Sequence, residues 1–516
     1  MRDTRAGRRF ARLLACVIVA ISLAPAWAAA QAAKAPAPPA PKAAKSPAAH
    51  AAKPKAAPAP APARVEPAPY SIAFDKAITL QADRSAESVT TTRIKILAES
   101  ALPAIGQQNL PYVEGMQTLE IVAAYTEKAD GRRITVDPAS IISRDEASGL
   151  NAIYLRDAKV RTVIFPDLAV GDTIVMNTRL QAKFGVFSGH YLNHIAFARQ
   201  VAFADSTVRI AFPKDLAVNV AVLGKDIDDR AEEEAGMVRH VVTYHGSGRA
   251  ADEPGATSAL DRDARVFIST FKDYEELGRA YWAEASKRAA VTPEIQALAD
   301  EITAGITDKR AQAAAIDRWM KGNVRYVAIY LGSGRVVPND AGAVLKNKYG
   351  DCKDQVTLMA ALLAAKGIAS EQVLINGGNV HTLDTPPTMA ALNHVMLYLP
   401  EFGIYDDPTA AFASFGVLSE TYDKPAVHLS ADQVRLARTP VMRPQDHTLF
   451  THTKVTIAPN GTMSGETRQS ATGVFAAVAR AVSAAVQNTG PETTAERQLQ
   501  AFGQPPHFGL VPFRPH

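Results

Sequence analysis

Cysteine occurs twice in the 516 residues, at Cys16 and Cys352. Cys352 stands in "YGDCKDQ", residues 349–355, between Asp351 and Lys353. Directly behind it Val356, Met359, Leu362 and Leu363 fall on one helical stripe that Gly367 ends. Asp351 reads as an N-cap, and Asp354 three residues on stands in a capping-box-like place. Cys352 is thereby put in the first turn of a helix. There the positive end of the helix dipole and Lys353 favour a thiolate, while the two carboxylates oppose it. A cysteine nucleophile also needs a general base and a group that orients the base. The segment "NHVMLYLPEFGIYDDPT", residues 393–409, supplies both. Read as an antiparallel hairpin turning near Pro400-Glu401 with a two-residue loop, it sets His394 opposite Asp407, with Cβ atoms about 5 Å apart. A one-residue slip brings Asp406 there instead. The contact between Cys352 and His394 does not follow from sequence and depends on the fold.

Periodicity outlines the frame that must carry these side chains. Between residues 70 and 250 lie short runs rich in Val, Ile, Thr and aromatics: "VTTTRIKILA", "TLEIVAAYTE", "RTVIFPDL", "DTIVMNTRLQAKF", "QVAFADSTVRIAF", "LAVNVAVLG" and "VRHVVTYH". Asp130-Gly131, Pro166-Asp167 and Gly171-Asp172 separate some of them as turn signals. A β-rich, sandwich-like region is predicted. Near residue 270 the period lengthens. "DYEELGRAYWAEASKRA", "PEIQALADEITAG" and "DKRAQAAAIDRWMKGN" read as helices, with Pro293 suited to a first turn and Gly322 to a stop. A strand "VRYVAIYLG" precedes the Cys352 helix, and "EQVLIN", "NHVMLYLP" and "GIYDDPT" follow it as strands. Then come a hairpin turning at Asn460-Gly461, a helix "GVFAAVARAVSAAV", and a tail "FGQPPHFGLVPFRPH" that does not look like a domain end.

The N-terminus reads as an export signal. Arg2, Arg5, Arg8, Arg9 and Arg12 form a basic stretch, Leu13 to Leu23 an apolar run, and Ala26-Trp27-Ala28 a cleavage site. Cleavage would remove Cys16 and leave Cys352 with no intramolecular disulfide partner. Residues 29–68 are Ala/Pro/Lys low complexity, a semi-rigid cationic tether. A plain spacer is its simpler reading, and contact with an anionic envelope surface its sharper one. The first 28 residues carry five Arg and one Asp, and residues 29–68 five Lys, one Arg and one Glu. Of a formal charge of +4 overall, the rest of the chain is therefore near −5, which argues against a nucleic-acid-binding surface. Hydrophobic content of 47% and charged content of 21% fit sizeable cores.

"YGDCKDQVTLMAALLAAKGI", then "NHVMLYL", then "YDDPT" resembles the transglutaminase-like (papain-like cysteine) superfamily. It is similar to exported bacterial members in which such a domain follows a β-rich domain of unknown function, DUF3857. "DGRRITVDPASI" and "TVIFPDLAVGDTI" are similar to that β-rich family. The resemblance covers roughly residues 70–480. It implies Cys352 as nucleophile, His394 as base and Asp407 as orienting acid, with acyl transfer through a thioester on a peptide, protein or other amide. The Cys352 backbone N–H would be one oxyanion donor, and Tyr326 or Tyr330 a candidate for the second.

The expected architecture is α+β multidomain: a signal peptide over 1–28, the tether over 29–68, a β-rich DUF3857-like domain over 69–255, a transglutaminase-like (papain-like) α+β domain over 256–425, and a short β-rich, irregular C-terminal part over 426–516. The mature protein is expected in the periplasm or otherwise exported, with no cofactor and no metal. Amidase or peptidase and protein cross-linker stay open, because both share the thioester. A non-catalytic envelope-binding or scaffold module is the alternative from another class.

Plainer readings stand beside these. A lone cysteine is commonly an inert buried residue, and only its neighbours argue otherwise. Asp351 and Asp354 read first as caps. Asn393 suits sheet pairing as well as positioning of the base. "STFK", residues 269–272, matches the Ser-x-x-Lys of serine β-lactamases, but the companion motifs are missing, and Ser269 or Thr270 reads better as a helix start. His190, His194, His240 and His245 invite a metal reading that no Cys or His-Glu-x-x-His pattern supports. Trp282 and Trp319 sit in helical patterns as core residues.

Overall fold

The computed structural model describes residues 67–145, 158–183, 185, 187, 189–246, 249–250, 255–327, 336–384, 386–460 and 463–501. The signal and most of the tether, Tyr330 and the tail from Phe502 lie outside the described residues.

Alternation builds the β-rich region. Tyr70–Leu80 and Ala86–Ile96 pair antiparallel along their full lengths, from Tyr70↔Ile96 to Leu80↔Ala86. They form the centre of an eight-stranded sheet. On one side Ala86–Ile96 pairs with Thr173–Ala182, which pairs in turn with Gln117–Glu127. On the other, Ser206–Pro213 runs parallel to Tyr70–Leu80 and pairs antiparallel with Met237–Tyr244. Two three-stranded sheets cover this large one, each over its own core. Val163, Leu110 and Ile141 of one pack against Ile94, Ile96, Ile174 and Met176. Val266, Ile268 and Phe197 of the other pack against Ile78, Leu80, Val208 and Ile210. Period-2 strands that are apolar on the inner face can be buried only this way. The predicted turns at Gly131 and Gly171 have φ of +87° and +94°, which suits glycine.

Two strands escape the pattern. Ile227–Glu234, "IDDRAEEE", is almost wholly charged and is held at the sheet edge by its partner Met237–Tyr244. Charge on an edge strand blocks further pairing, so its polarity is a property of the position. Ala264–Ser269 is buried at every residue and pairs on both sides, so it shows no alternation. It takes Ser269 into a strand. Thr270 accepts a hydrogen bond from Tyr191 N at 2.9 Å through its hydroxyl. Neither begins a helix, which corrects that expectation. Asp273 is the cap, its carboxylate accepting from Glu276 N at 2.8 Å.

Of the four longer helices of the mixed region, the first and last lie on one sheet and the other two pack on the last. Tyr274–Ala285, Pro293–Ile302 and Lys309–Asn323 are followed by Cys352–Ala365. Pro293 opens its helix beneath Thr292, whose hydroxyl caps Ile295 N at 3.3 Å. The third helix runs through Gly322 and ends at Asn323, so the expected stop falls one residue late. The Cys352 helix is apolar on nearly all sides and forms the middle of the core, with Val356, Leu358, Met359, Leu362 and Leu363 fully buried. Trp282 and Trp319 flank this core partly buried. The sheet has five antiparallel strands, in the order Ile404–Asp406, His394–Leu399, Glu371–Ile375, Pro425–Leu429 and Val434–Arg438.

Gly278 marks how closely the first helix lies on this sheet. A Cβ there would stand 2.7 Å from Val434 Cγ1, 2.9 Å from Leu429 Cδ2 and 3.0 Å from Val427 Cγ1. Gly278→Ala is expected to lower stability by about 1–3 kcal/mol through overpacking, read as a lower denaturant midpoint. An unchanged midpoint would show that the two layers can part at no cost.

Beyond the sheet, Leu449–Ile457 and Met463–Ala471 form the expected antiparallel hairpin. Two helices follow, Gly473–Thr489 and Pro491–Ala501. The second was not anticipated: "PETTAERQLQA" is too polar for a periodic signal.

Candidate active site

Cys352 begins its helix, and Asp351 caps it from extended backbone, accepting from Asp354 N at 3.3 Å. Asp354 does not reach back to complete a capping box. Its carboxylate accepts from Asn339 N at 2.7 Å and from Asn339 Nδ2 at 3.1 Å. That ties the helix start to the segment before it. Lys353 pairs with Asp351, and both are buried. Burial raises the Asp351 carboxyl against the opposing pull of Lys353. The lysine charge is thus committed to the cap, where sequence had it favouring the thiolate.

Gly350 is required by the same corner. A Cβ there would lie 2.5 Å from Asp354 Cβ. Gly350→Ala is expected to displace Asp354 from Asn339, lowering the thermal midpoint by several degrees and slowing alkylation of Cys352. Retention of both would show that the turn can relax.

His394 is the first residue of its strand, and its Nε2 hydrogen-bonds Asp407 Oδ2 at 2.8 Å. The expected register is wrong by two residues. Leu399 pairs with Ile404 and Leu397 with Asp406, around a four-residue turn closed by Phe402 N→Leu399 O at 3.2 Å with Gly403 at φ +64°. Direct opposition of His394 and Asp407 is lost. Because strand side chains alternate with period two, a shift of two leaves both on one face, diagonal to each other. Asp407 lies just past the strand end, where Thr409 fixes it: its Oδ1 accepts from Thr409 N at 2.9 Å and Thr409 Oγ1 at 2.7 Å. Asp406 goes elsewhere, 4.0 Å from Lys321 Nζ, which in turn pairs with Asp317 at 2.7 Å. Burial, reinforced by Asp317, pushes Asp406 up to about 8.

Electrostatics separate the pair. Burial alone would lower the His394 pKa. The Asp407 charge and hydrogen bond outweigh it, the Cys352 side chain adds in the same sense, and the imidazole is pushed up to about 10. Asp407 is held below its ordinary range, the pull of His394 and Thr409 overcoming burial. The His394 strand packs against the helix that Cys352 begins. With Nε2 on Asp407, Nδ1 is the nitrogen left for the sulfur.

Asn393, just before the His394 strand, accepts from Gly377 N at 2.8 Å through its Oδ1. Tyr326 lies beside Gly350 in a short parallel pairing and is 47% exposed. Three of the four histidines that invited a metal reading meet other partners. His240 and His245 each meet a carboxylate at 3.0 Å, Asp229 and Asp228, and His190 stacks on Phe271 at 3.7 Å between centroids. Sequence reading missed Asn339, Thr409 and Lys321. Each acts across the fold or a turn through an ordinary side chain, although Thr two residues after an Asp is a local signal for Asp407.

Residues 82–247 match DUF3857, described as a domain of unknown function with a solved structure, and residues 296–399 match the transglutaminase-like superfamily. The chain carries a DUF3857 domain followed by a transglutaminase-like core. The match to the transglutaminase-like core includes Cys352 and His394 and ends before Asp407. A crystal structure of a candidate protease from Parabacteroides distasonis ATCC 8503 is similar over 72% of this chain and 70% of that one, at 18% identity and a TM-score of 0.56. That likeness speaks for the fold. A candidate cysteine protease from Cytophaga hutchinsonii is 12% identical over 55% of this chain and 89% of that one, with a TM-score of 0.21. The M1 zinc metallopeptidase from Deinococcus radiodurans is 12% identical over 39% of this chain and 42% of that one, with a TM-score of 0.22. At those scores neither bears on this transglutaminase-like core. No curated protein matches the chain.

Proposed function

We propose that the chain is an exported cysteine acyl-transfer enzyme acting on peptide, protein or other amide substrates of the cell envelope. Cys352 is the nucleophile, His394 the general base and acid, and Asp407 the orienting carboxylate. The observation that carries this reading is the part-buried imidazole held on Asp407 at 2.8 Å, on a strand packed against the helix that Cys352 begins.

With its proton already on His394 Nδ1, the Cys352 thiolate attacks the substrate carbonyl, forming the S–C bond. The carbonyl oxygen takes up negative charge beside the Cys352 backbone N–H at the helix start. As the C–N bond breaks, His394 returns the proton to the leaving amine. Water or an acceptor amine then attacks the thioester, His394 takes its proton, the sulfur leaves as thiolate, and the ion pair is restored. Asp407 stays ionised throughout and stabilises the imidazolium. The amino-terminal signal removes Cys16 on export, and the cationic tether then spaces the body from the envelope.

Timed alkylation with iodoacetamide tests the nucleophile, followed by mass spectrometry of the Cys352 peptide. Cys352 is expected to label much faster than free cysteine at neutral pH. Labelling no faster than free cysteine would sink the reading. A glutamine peptide offered with and without a primary amine separates the outcomes: an amide adduct marks a transferase, and free acid alone marks a hydrolase.

A further inference from the structure

Behind Asp407 the chain runs through residues 407–424 without helix or strand, so the place of the carboxylate depends on how that segment is tied down. Its first turns are local: Ala410 N donates to Asp407 O at 3.1 Å and Ala413 N to Ala410 O at 2.9 Å. Three consecutive residues are then held from outside. Ala413 O accepts from Lys321 Nζ at 3.2 Å. Phe412 O accepts from Arg480 Nε at 2.7 Å, and Ser414 Oγ accepts from Arg480 Nη2 at 3.2 Å. Arg480 comes from the helix Gly473–Thr489, beyond the five-stranded sheet, and is the one charged residue in "GVFAAVARAVSAAVQNT". No residue of that helix is buried, so apolar packing alone does not fix it. Its start is moored at His447, whose Nδ1 accepts from Val474 N at 3.2 Å and whose ring meets Tyr422 edge-on at 5.3 Å between centroids. Farther along the same helix, Arg480 reaches the segment behind the acid.

We infer that Arg480 is a positioning residue for the proposed reaction, clamping the segment behind Asp407 so that its carboxylate stays on His394. The inference rests on the assignment of Asp407 as the orienting acid. A planar guanidinium that donates to Phe412 and to Ser414 fixes both the place and the direction of the backbone between them, which a single ammonium does not. The tie reaches the carboxylate by a short path. Phe412 and Ser414 flank Ala413, the Ala413 turn closes on Ala410, and the Ala410 turn closes on Asp407 O. Within that last turn stands Thr409, whose N–H and hydroxyl hold Asp407 Oδ1. The C-terminal helix thereby takes part in the site, although it follows the matched core that carries Cys352 and His394.

The test is Arg480→Ala in the full chain, with the His394 ring followed across pH by NMR after isotope labelling of histidine. His394→Ala identifies the signal. The wild-type ring is expected to titrate at about 10, where the Asp407 charge and hydrogen bond hold it. In Arg480→Ala the titration is expected to fall by roughly one unit, with Arg480→Lys, which keeps a donor, standing between. The direction separates the causes. Loss of a cation acting only through space would favour the imidazolium and move the titration up, and a helix that merely loosens would leave it level. An unchanged or raised titration in Arg480→Ala therefore overturns the inference. Arg480 is exposed and alanine is a good helix former, so circular dichroism of the variant is expected to match the wild type. If the wild-type ring itself titrates near 6.5, the pairing with Asp407 fails first, and the proposed function with it. If the wild-type ring titrates high and the variant equally high, only the role of Arg480 fails.

Discussion

His394→Ala is expected to lower kcat/KM by about 10²–10⁴-fold and to slow alkylation of Cys352 at neutral pH to the rate of an ordinary cysteine. The imidazole carries a charge in the resting site. It is pushed up to about 10, with Asp407 the main support against burial. At pH 7 it therefore stands as an imidazolium, and a thiolate beside it is half of an ion pair. Alanine removes the counter-charge and the proton carrier together. Asp407 keeps its two donors from Thr409, so the carboxylate is not stranded and the fold is expected to survive. Circular dichroism on the same sample checks that. A variant that folds and still alkylates at the wild-type rate would remove His394 from the mechanism.

How much of this was legible in the sequence depends on how local each feature is. Cys352 at a helix start follows from Asp351, the apolar stripe and Gly367, all within one element. The His394–Asp407 contact was reached through the wrong register and still emerged, because an error of two residues preserves the face while an error of one does not. The turn misled because Phe402 and Gly403 look like strand continuation, whereas Gly403 adopts φ +64° and lengthens the loop. Asp354 looked like half of a capping box until the fold brought Asn339, fifteen residues upstream, to its carboxylate. Lys353 looked like a cation for the sulfur until burial forced it onto Asp351. The strands Ala264–Ser269 and Ile227–Glu234 were missed for opposite reasons: one is buried on both faces, the other is almost entirely charged, and neither alternates.

Asp407→Asn separates orientation from charge, and it is expected to lower kcat/KM by roughly 10³–10⁴-fold. Thr409 decides how the amide sits. Its N–H and its hydroxyl both donate to Asp407 Oδ1, so the oxygen of an asparagine must take that place. The NH₂ group then points at His394 Nε2. It donates where the carboxylate accepted, which forces the neutral ring to carry its proton on Nδ1. That is the nitrogen the proposed mechanism uses on the sulfur, and it can no longer take a proton. The same substitution has a signature in stability. In the wild type the folded-state value of His394 is about 10, raised from an ordinary 6.5. Its contribution is therefore complete below pH 6.5, as long as Asp407 is ionised, and is lost as the pH rises through about 10. Without the carboxylate, burial holds the ring neutral, and charging it below its ordinary range becomes a cost. The wild type is expected to exceed Asp407→Asn by on the order of a few kcal/mol at pH 6, with the gap closing toward pH 10. Urea titrations of both proteins at pH 6, 8 and 10 measure it. A gap that is constant over that range would mean that His394 is not the charged partner of Asp407.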